Sequence, residues 1–269
     1  MVLSAESSRQ LYLKGQHTIP SDTVCYPAKL LHGHIESLVE AGAETIFYPC
    51  LPYNFDEGIG DNNYNCPVVA YYPELLAANM PRLKTARLLN PYFGLHRKKG
   101  FAEKAAEFFL EQFDIPKSET KKAARSAYGA YAAFREDIIR EGEKYIRHAR
   151  ENGKRIIVVA GRPYHIDPEI NHGIDELITS YGLVLVTEDA VSHILGRESR
   201  KVLNQWTYQA RMYNAARFVV TQPDMQLVQL VSFGCGTDAI TTDELRSILE
   251  AGGKLYTQIK IDDINNLGA

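Results

Sequence analysis

The sequence has no apolar run approaching the roughly 20 residues that cross a bilayer, and its opening M-V-L-S-A-E-S-S-R lacks the charged-then-apolar order of a secretion signal. No membrane partner is expected, and the chain reads as cytoplasmic. It also lacks a basic run: 30 Lys and Arg are interspersed with 33 Asp and Glu, for a formal charge of -3. Nothing in that pattern tracks a phosphate backbone, so no nucleic acid is expected as a partner. There is no G-x-S-x-G turn and no Ser/His/Asp arrangement, which leaves hydrolysis by an activated serine without support. Cysteine is scarce, at four, and in a reducing compartment so few thiols act as ligands or stay idle rather than pair as disulfides. What is present is 269 residues with 45% hydrophobic content, enough for one large or two modest domains.

The strongest elements alternate between strand and helix. From Pro27 to about Ala41, Leu30, Leu31, His34 and Leu38 approach helical spacing, with Pro27 in a favoured first-turn position and Gly42 as a stop. E-T-I-F-Y-P-C reads as a short strand, and P-V-V-A-Y-Y after Cys66 as another β-prone stretch. Residues 101–152 change texture, to two helical patterns split around I-P-K-S-E. Tyr128, Tyr131 and Phe134 recur every three residues there, which predicts the buried face of a long helix rather than a cofactor-stacking surface. From Lys154 the alternation resumes: R-I-I-V-V-A-G, a helix near Pro168 to Tyr181, L-V-L-V-T, a helix over Lys201 to Ala215, a strand R-F-V-V-T, the run M-Q-L-V-Q-L-V-S-F-G, a helix from about Thr241 to Ala251 and a final strand K-L-Y-T-Q-I-K-I. The expected fold is therefore α/β, with two parallel-sheet Rossmann-like or flavodoxin-like lobes, residues 1–95 and 153–269, joined by a helical segment, residues 96–152.

Cys25, Cys50, Cys66 and Cys235 each sit beside proline or glycine, in T-V-C-Y-P, F-Y-P-C-L-P, N-Y-N-C-P and S-F-G-C-G. Such kinked segments, at the edge of a strand or the start of a helix, are expected to hold a thiol out of the packed core, where a metal can reach it. Cys25 and Cys235 precede predicted helices, whose unpaired N–H groups favour a thiolate and the net negative charge of a four-thiolate iron–sulfur centre. Ligands of a parallel sheet collect at the carboxyl ends of its strands, where Gly161 to Asp167 and Ser232 to Gly236 both lie. The spacing matches neither a compact ferredoxin run nor the C-x-x-C pairs of a zinc ribbon, so iron–sulfur, zinc and unligated thiols all stay open on spacing alone.

The strings P-S-D-T-V-C-Y-P-A-K-L-L-H-G-H-I, F-Y-P-C-L-P-Y, N-Y-N-C-P-V-V-A-Y-Y-P-E, A-G-R-P-Y-H-I-D-P-E-I-N-H-G-I and S-F-G-C-G-T-D-A-I-T-T-D-E-L resemble the acyl-CoA dehydratase activase-related family, across nearly the whole chain. That family is also described as CoA-substrate-specific enzyme activase and is related to the 2-hydroxyacyl-CoA dehydratase subunits. The resemblance implies a [4Fe-4S] cluster with Cys25, Cys50, Cys66 and Cys235 as ligands. It further implies electron transfer with an ATPase activase domain or subunit, in the chemistry of a CoA-thioester dehydratase partner. Members usually lie in a longer polypeptide beside sugar-kinase-like ATPase domains, whereas no phosphate-binding glycine loop is visible here. The matching pattern also stops at I-N-N-L-G-A, so a fragment or split gene product is expected. Dehydratase subunits use three thiolates and leave one iron open, and a fourth cysteine would close that position and favour electron relay. A metal-free binding or regulatory module and a dehydratase-like subunit are the alternatives.

In G-R-P-Y-H-I-D, Arg162, Tyr164 and His165 are candidates to approach the cluster or a partner's anionic group, with a purely architectural role as the alternative and Asn171 and His172 on the same surface. Asp238 and Asp243 read as helix-start carboxylates, and Tyr71, Tyr72 and Glu74 as packing and capping groups. His32 and His34, two apart on a helix, face different ways and read as structural.

Overall fold

Pro27 and Pro67 stand in the first turns of two helices, where a residue without an N–H costs nothing. In the computed structural model, which describes residues 1–198, 203–232 and 234–262, these helices frame the amino-terminal lobe. Its elements run α1 (Arg9–Gly15), α2 (Tyr26–Glu40), β1 (Thr45–Phe47), β2 (Cys50–Tyr53), α3 (Pro67–Asn79), β3 (Arg87–Leu89) and β4 (Tyr92–Gly94). The strands pair in parallel, β1 with β3 and β2 with β4. Pro49 and Pro91 interrupt the two runs at matching points, and the ladder is carried across by Tyr48 N–H to Leu89 O and Cys50 N–H to Pro91 O, both 2.9 Å.

α4 (Lys98–Phe113) and the 35-residue α5 (Lys117–Glu151) form the helical segment. The carboxy-terminal lobe continues with β5 (Ile156–Ala160), α6 (Pro168–Asn171), α7 (Ile174–Ser180), β6 (Val184–Thr187), α8 (Thr207–Val220), β7 (Met225–Ser232), α9 (Gly236–Ala251) and β8 (Thr257–Ile261). Its four parallel strands are ordered β6-β5-β7-β8, the doubly wound order of a flavodoxin-like sheet. Alternation along β5 feeds two cores. Ile156, Val158 and Ala160 face α5, α8 and α9, while Val159 faces α2, α6 and α7. Helix α2 is shared: Tyr26 and Leu30 pack on this sheet, and Ala28 and Ile35 pack in the amino-terminal core with Tyr72, Leu76 and Met80. Among the described residues, no helix is long and apolar enough to cross a membrane.

Local reading misplaced three stretches. P-V-V-A-Y-Y opens α3, because Cys66 and Pro67 make a helix start like that of Cys25 and Pro27, and Ala70, Pro73 and Leu76 then bury one helical face. R-F-V-V-T is the end of α8, where Met212, Ala215, Ala216 and Val219 hold helical register against the core and override the β preference of Val219 and Val220. The helix expected from Pro168 to Tyr181 breaks in two at His172 and Gly173, both left-handed at φ 57° and 77°. On α5, Tyr128 and Tyr131 are half-buried against Phe55, but Phe134 is 56% exposed, so the expected buried face stops short of it. The Lys201 start expected for α8 and the I-N-N-L-G-A terminus lie outside the described residues.

Candidate functional site

Three of the four cysteines are the N-cap residues of three helices: Cys25 of α2, Cys66 of α3 and Cys235 of α9. Each is held in extended backbone just before the first turn, where free N–H groups point outward. The Cys66 sulfur accepts from Val69 N–H at 3.5 Å. The three thiols share one electrostatic environment: Cys25 is influenced by Cys235, Cys66 and Arg162, and Cys66 by Arg162 and Cys235. Tyr164 feels all three sulfurs and Arg162.

The meeting point follows from the sheet. Arg162 follows β5 and Cys235 follows β7, neighbouring strands whose chains then cross to opposite edges, so a crevice opens between the two loops. Gly234 brings the amino-terminal lobe into it. A Cβ there would lie 1.9 Å from Thr23 O and 3.0 Å from the Val24 carbonyl carbon, so only glycine lets the β7–α9 loop touch the segment leading to Cys25. Sequence reading missed Gly234 as a determinant, although the signal was present in S-F-G-C-G.

Arg162, 3% exposed, organises the crevice. Its guanidinium donates to Asp238 at 2.5 and 3.3 Å, to Cys235 Sγ at 3.2 Å and to Thr237 Oγ1 at 3.1 Å. Asp238 also accepts from Ser232 N–H at 3.0 Å, so it ties the end of β7 to the start of α9. Burial opposes the charge on Arg162, yet Tyr164, Asp238 and Cys235 together hold its pKa above the ordinary value. His165 Nδ1 accepts from Arg162 N–H at 3.0 Å, which leaves the ring proton on Nε2, a buried atom with no partner among the described residues. Burial and Arg162 hold that imidazole neutral, with its pKa well below the usual range. Thr237, also missed from sequence, lies 3.1 Å from Cys235 Sγ and accepts from Gln209 at 3.1 Å.

Two effects compete at Cys25 and Cys66. Helix N–H groups and Arg162 favour thiolate, but burial wins: it pushes the Cys25 thiol up to about 11 and also raises that of Cys66. Burial pushes Tyr164 well above its ordinary value, against the pull of Arg162. Without a bound cation, Cys25 therefore stays protonated at neutral pH.

Cys50 has different surroundings. It is fully buried in β2, its pKa is raised by burial and then by Glu74, and Tyr92 is its hydrogen-bonding neighbour. Tyr48 is influenced by both Cys50 and Cys66 and links the two environments. The histidines serve packing: His32 bonds Thr18 Oγ1 at 2.7 Å and Tyr72 OH at 3.0 Å, and His34 bonds Ser4 at 2.9 Å and Ser7 at 3.3 Å. Tyr92 OH bonds Glu74, and His172 Nε2 bonds Asp262 O at 2.7 Å.

Beside the thiols lies a cavity of about 270 Å³ lined by Cys25, Cys66, Tyr48, Tyr164, Leu51 and Val69. Among the described residues, no group of three or more His, Cys, Asp or Glu can hold a single metal ion. One tetrahedral ion with sulfur at about 2.3 Å draws its thiolates to within about 4 Å of each other. An iron–sulfur cluster places each thiolate on its own iron and spaces them more widely. Cys25 and Cys66 line the cavity, while Cys235 bonds Arg162 and is not part of its lining. Thiols with helix N–H groups and one guanidinium to offset anionic charge are the donor chemistry that an iron–sulfur cluster would need.

Comparison with protein families matches residues 1–191 to the CoA enzyme activase uncharacterised domain (DUF2229), a span that includes Cys25, Cys50, Cys66, Arg162, Tyr164 and His165. No curated protein matches the chain.

Proposed function

We propose, from the premise that the chain belongs to the CoA enzyme activase uncharacterised domain family, that it is an iron–sulfur protein holding a [4Fe-4S] cluster on Cys25, Cys66 and Cys235. It acts with an ATP-dependent activase on CoA-thioester dehydratase-type chemistry. The observation that carries this reading is the grouping of three N-cap thiols, from three separate helices, around one buried guanidinium. When bound, the cluster supplies one-electron transfer at low potential. The chain's own part is positional and electrostatic. Three helix N-termini and Arg162 would stabilise anionic sulfur, and Tyr48 and Tyr164 line the cavity beside Cys25 and Cys66. Glu74 and Tyr92, not Arg162, influence Cys50, so Cys25, Cys66 and Cys235 are the residues that would hold the cluster.

Anaerobic reconstitution of the full chain with iron and sulfide tests this. A brown protein with about four irons is expected, with loss of colour in Cys25→Ser, Cys66→Ser and Cys235→Ser and its retention in Cys50→Ser. A colourless wild-type protein overturns the cluster, and loss of colour in Cys50→Ser overturns the three-thiolate set. A metal-free docking module is the second reading, favoured by the burial that keeps Cys25 protonated. A colourless protein that still binds an activase ATPase selects it.

A further inference from the structure

We propose that the groove between α4 and α5 binds a nucleoside polyphosphate, at a site separate from the thiols and independent of the iron–sulfur reading. The groove encloses about 450 Å³, within the size range of small-molecule sites. Lys98 and Lys99 from the start of α4 and Lys121 and Arg125 from α5 line it. Glu103 also lines it and is bound to Lys121 at 2.6 Å, whereas Lys98, Lys99 and Arg125 make no ion pair among the described residues. Their placement works against the fold. Helix α4 opens Arg97-Lys98-Lys99 with no acidic residue in its first turn and no side-chain cap, so cations crowd the positive end of the helix dipole. In a protein of net charge -3 this concentrates a positive field in a concave site, where an incoming anion finds cations that are not held in ion pairs.

Gly129 supplies an independent observation. It lies inside the 35-residue α5, where glycine is the poorest helix former after proline, and a Cβ added to it meets nothing within 4 Å. No packing within the chain calls for a glycine there, yet it lines the groove, beside Ala102 and Ala124. Adding a side chain would fill the groove itself. The wall is the ring of Tyr128, held by a hydrogen bond to Leu95 O at 2.8 Å and by edge contacts from Phe55 and Phe101. Lys98 Nζ sits 5.7 Å from the centroid of that ring. A flat, small-residue floor beside a fixed aromatic ring accepts a nucleobase, and the cations at the rim accept the phosphates.

Calorimetric titration of the full chain at low salt, with ADP, CoA and inorganic pyrophosphate as probes, tests the proposal. ADP is expected to bind with a Kd of about 10–100 µM, weakening as salt screens the exposed cations, and pyrophosphate at least about tenfold more weakly because it lacks the base. The Lys98→Glu/Arg125→Glu pair is expected to weaken ADP by about tenfold or more with an unchanged circular dichroism spectrum. Gly129→Leu is expected to abolish ADP binding, to spare pyrophosphate and to melt no lower than wild type, since it improves helix propensity. CoA binding tighter than ADP assigns the site to the nucleotide part of a CoA thioester, and equal or weaker binding to a free nucleotide. No ADP binding up to about 1 mM, equal affinity for pyrophosphate, or binding unchanged in these variants overturns the proposal.

Discussion

At the scale of the residue, Arg162 and Glu188 show what burial demands of a charged group, a partner in one case and a proton in the other. Arg162 and Asp238 have side chains only 2% and 6% exposed, so neither can be left alone. Arg162→Ala strands a buried carboxylate and is expected to cost about 3–5 kcal/mol in urea unfolding. Arg162→Met combined with Asp238→Asn should recover much of that loss, because the double change removes both charges. Glu188 follows β6 and is 5% exposed. Burial and the neighbouring Asp189 push its carboxyl up to about 8, against partial relief from Arg211. The native state therefore binds a proton that the unfolded chain has released above its ordinary carboxylate pKa. Stability from this group is full below about pH 4.5 and is lost as pH rises through about 8, a change on the order of a few kcal/mol. Glu188→Gln should flatten that slope, as read by unfolding midpoints from pH 5 to 9.

At the scale of the element, the site is built from helix starts. Two of the three N-cap cysteines are followed closely by proline, which suits the first turn and fixes the direction in which the thiol leaves the backbone. The third, Cys235, depends on its predecessor. Gly234→Ala puts a methyl group into the backbone of Thr23, where no side-chain rotation can relieve it. The expected result is a loss of about 1–3 kcal/mol, typical of overpacking, together with reduced iron loading although all three thiols are present. Loading equal to wild type would show that the loop contact is not what joins Cys25 to Cys235.

At the scale of the whole molecule, the lobes share α2 and are cross-linked by charge. Tyr26 OH bonds Glu169 at 2.6 Å, Arg211 of α8 pairs with Glu57 of the amino-terminal lobe, and Arg135 of α5 bonds Asp189 at 3.2 Å. A helix that belongs to two cores cannot leave one without opening the other. Calorimetry is therefore expected to give a single unfolding transition, with van't Hoff and calorimetric enthalpies in agreement. Two resolved transitions would mean that the amino-terminal lobe melts alone.

Much of this was readable one element at a time. Apolar runs near Ile156 and Met225 specified buried parallel strands, and proline after Cys25 specified a helix start, because burial periodicity and first-turn chemistry are properties of consecutive residues. The same local logic failed at 68–72 and 217–221, where β-prone side chains were claimed by helical faces already packed on a core. The sequence by itself determined that four thiols sit at element edges and that the chain is α/β. Only the tertiary structure decided that Arg162 influences Cys25 and Cys66 and bonds Cys235, while Cys50 is influenced by Tyr92 and Glu74. Which distant loops meet is set by strand order and by one close backbone approach at Gly234, and neither leaves a periodic mark in the chain.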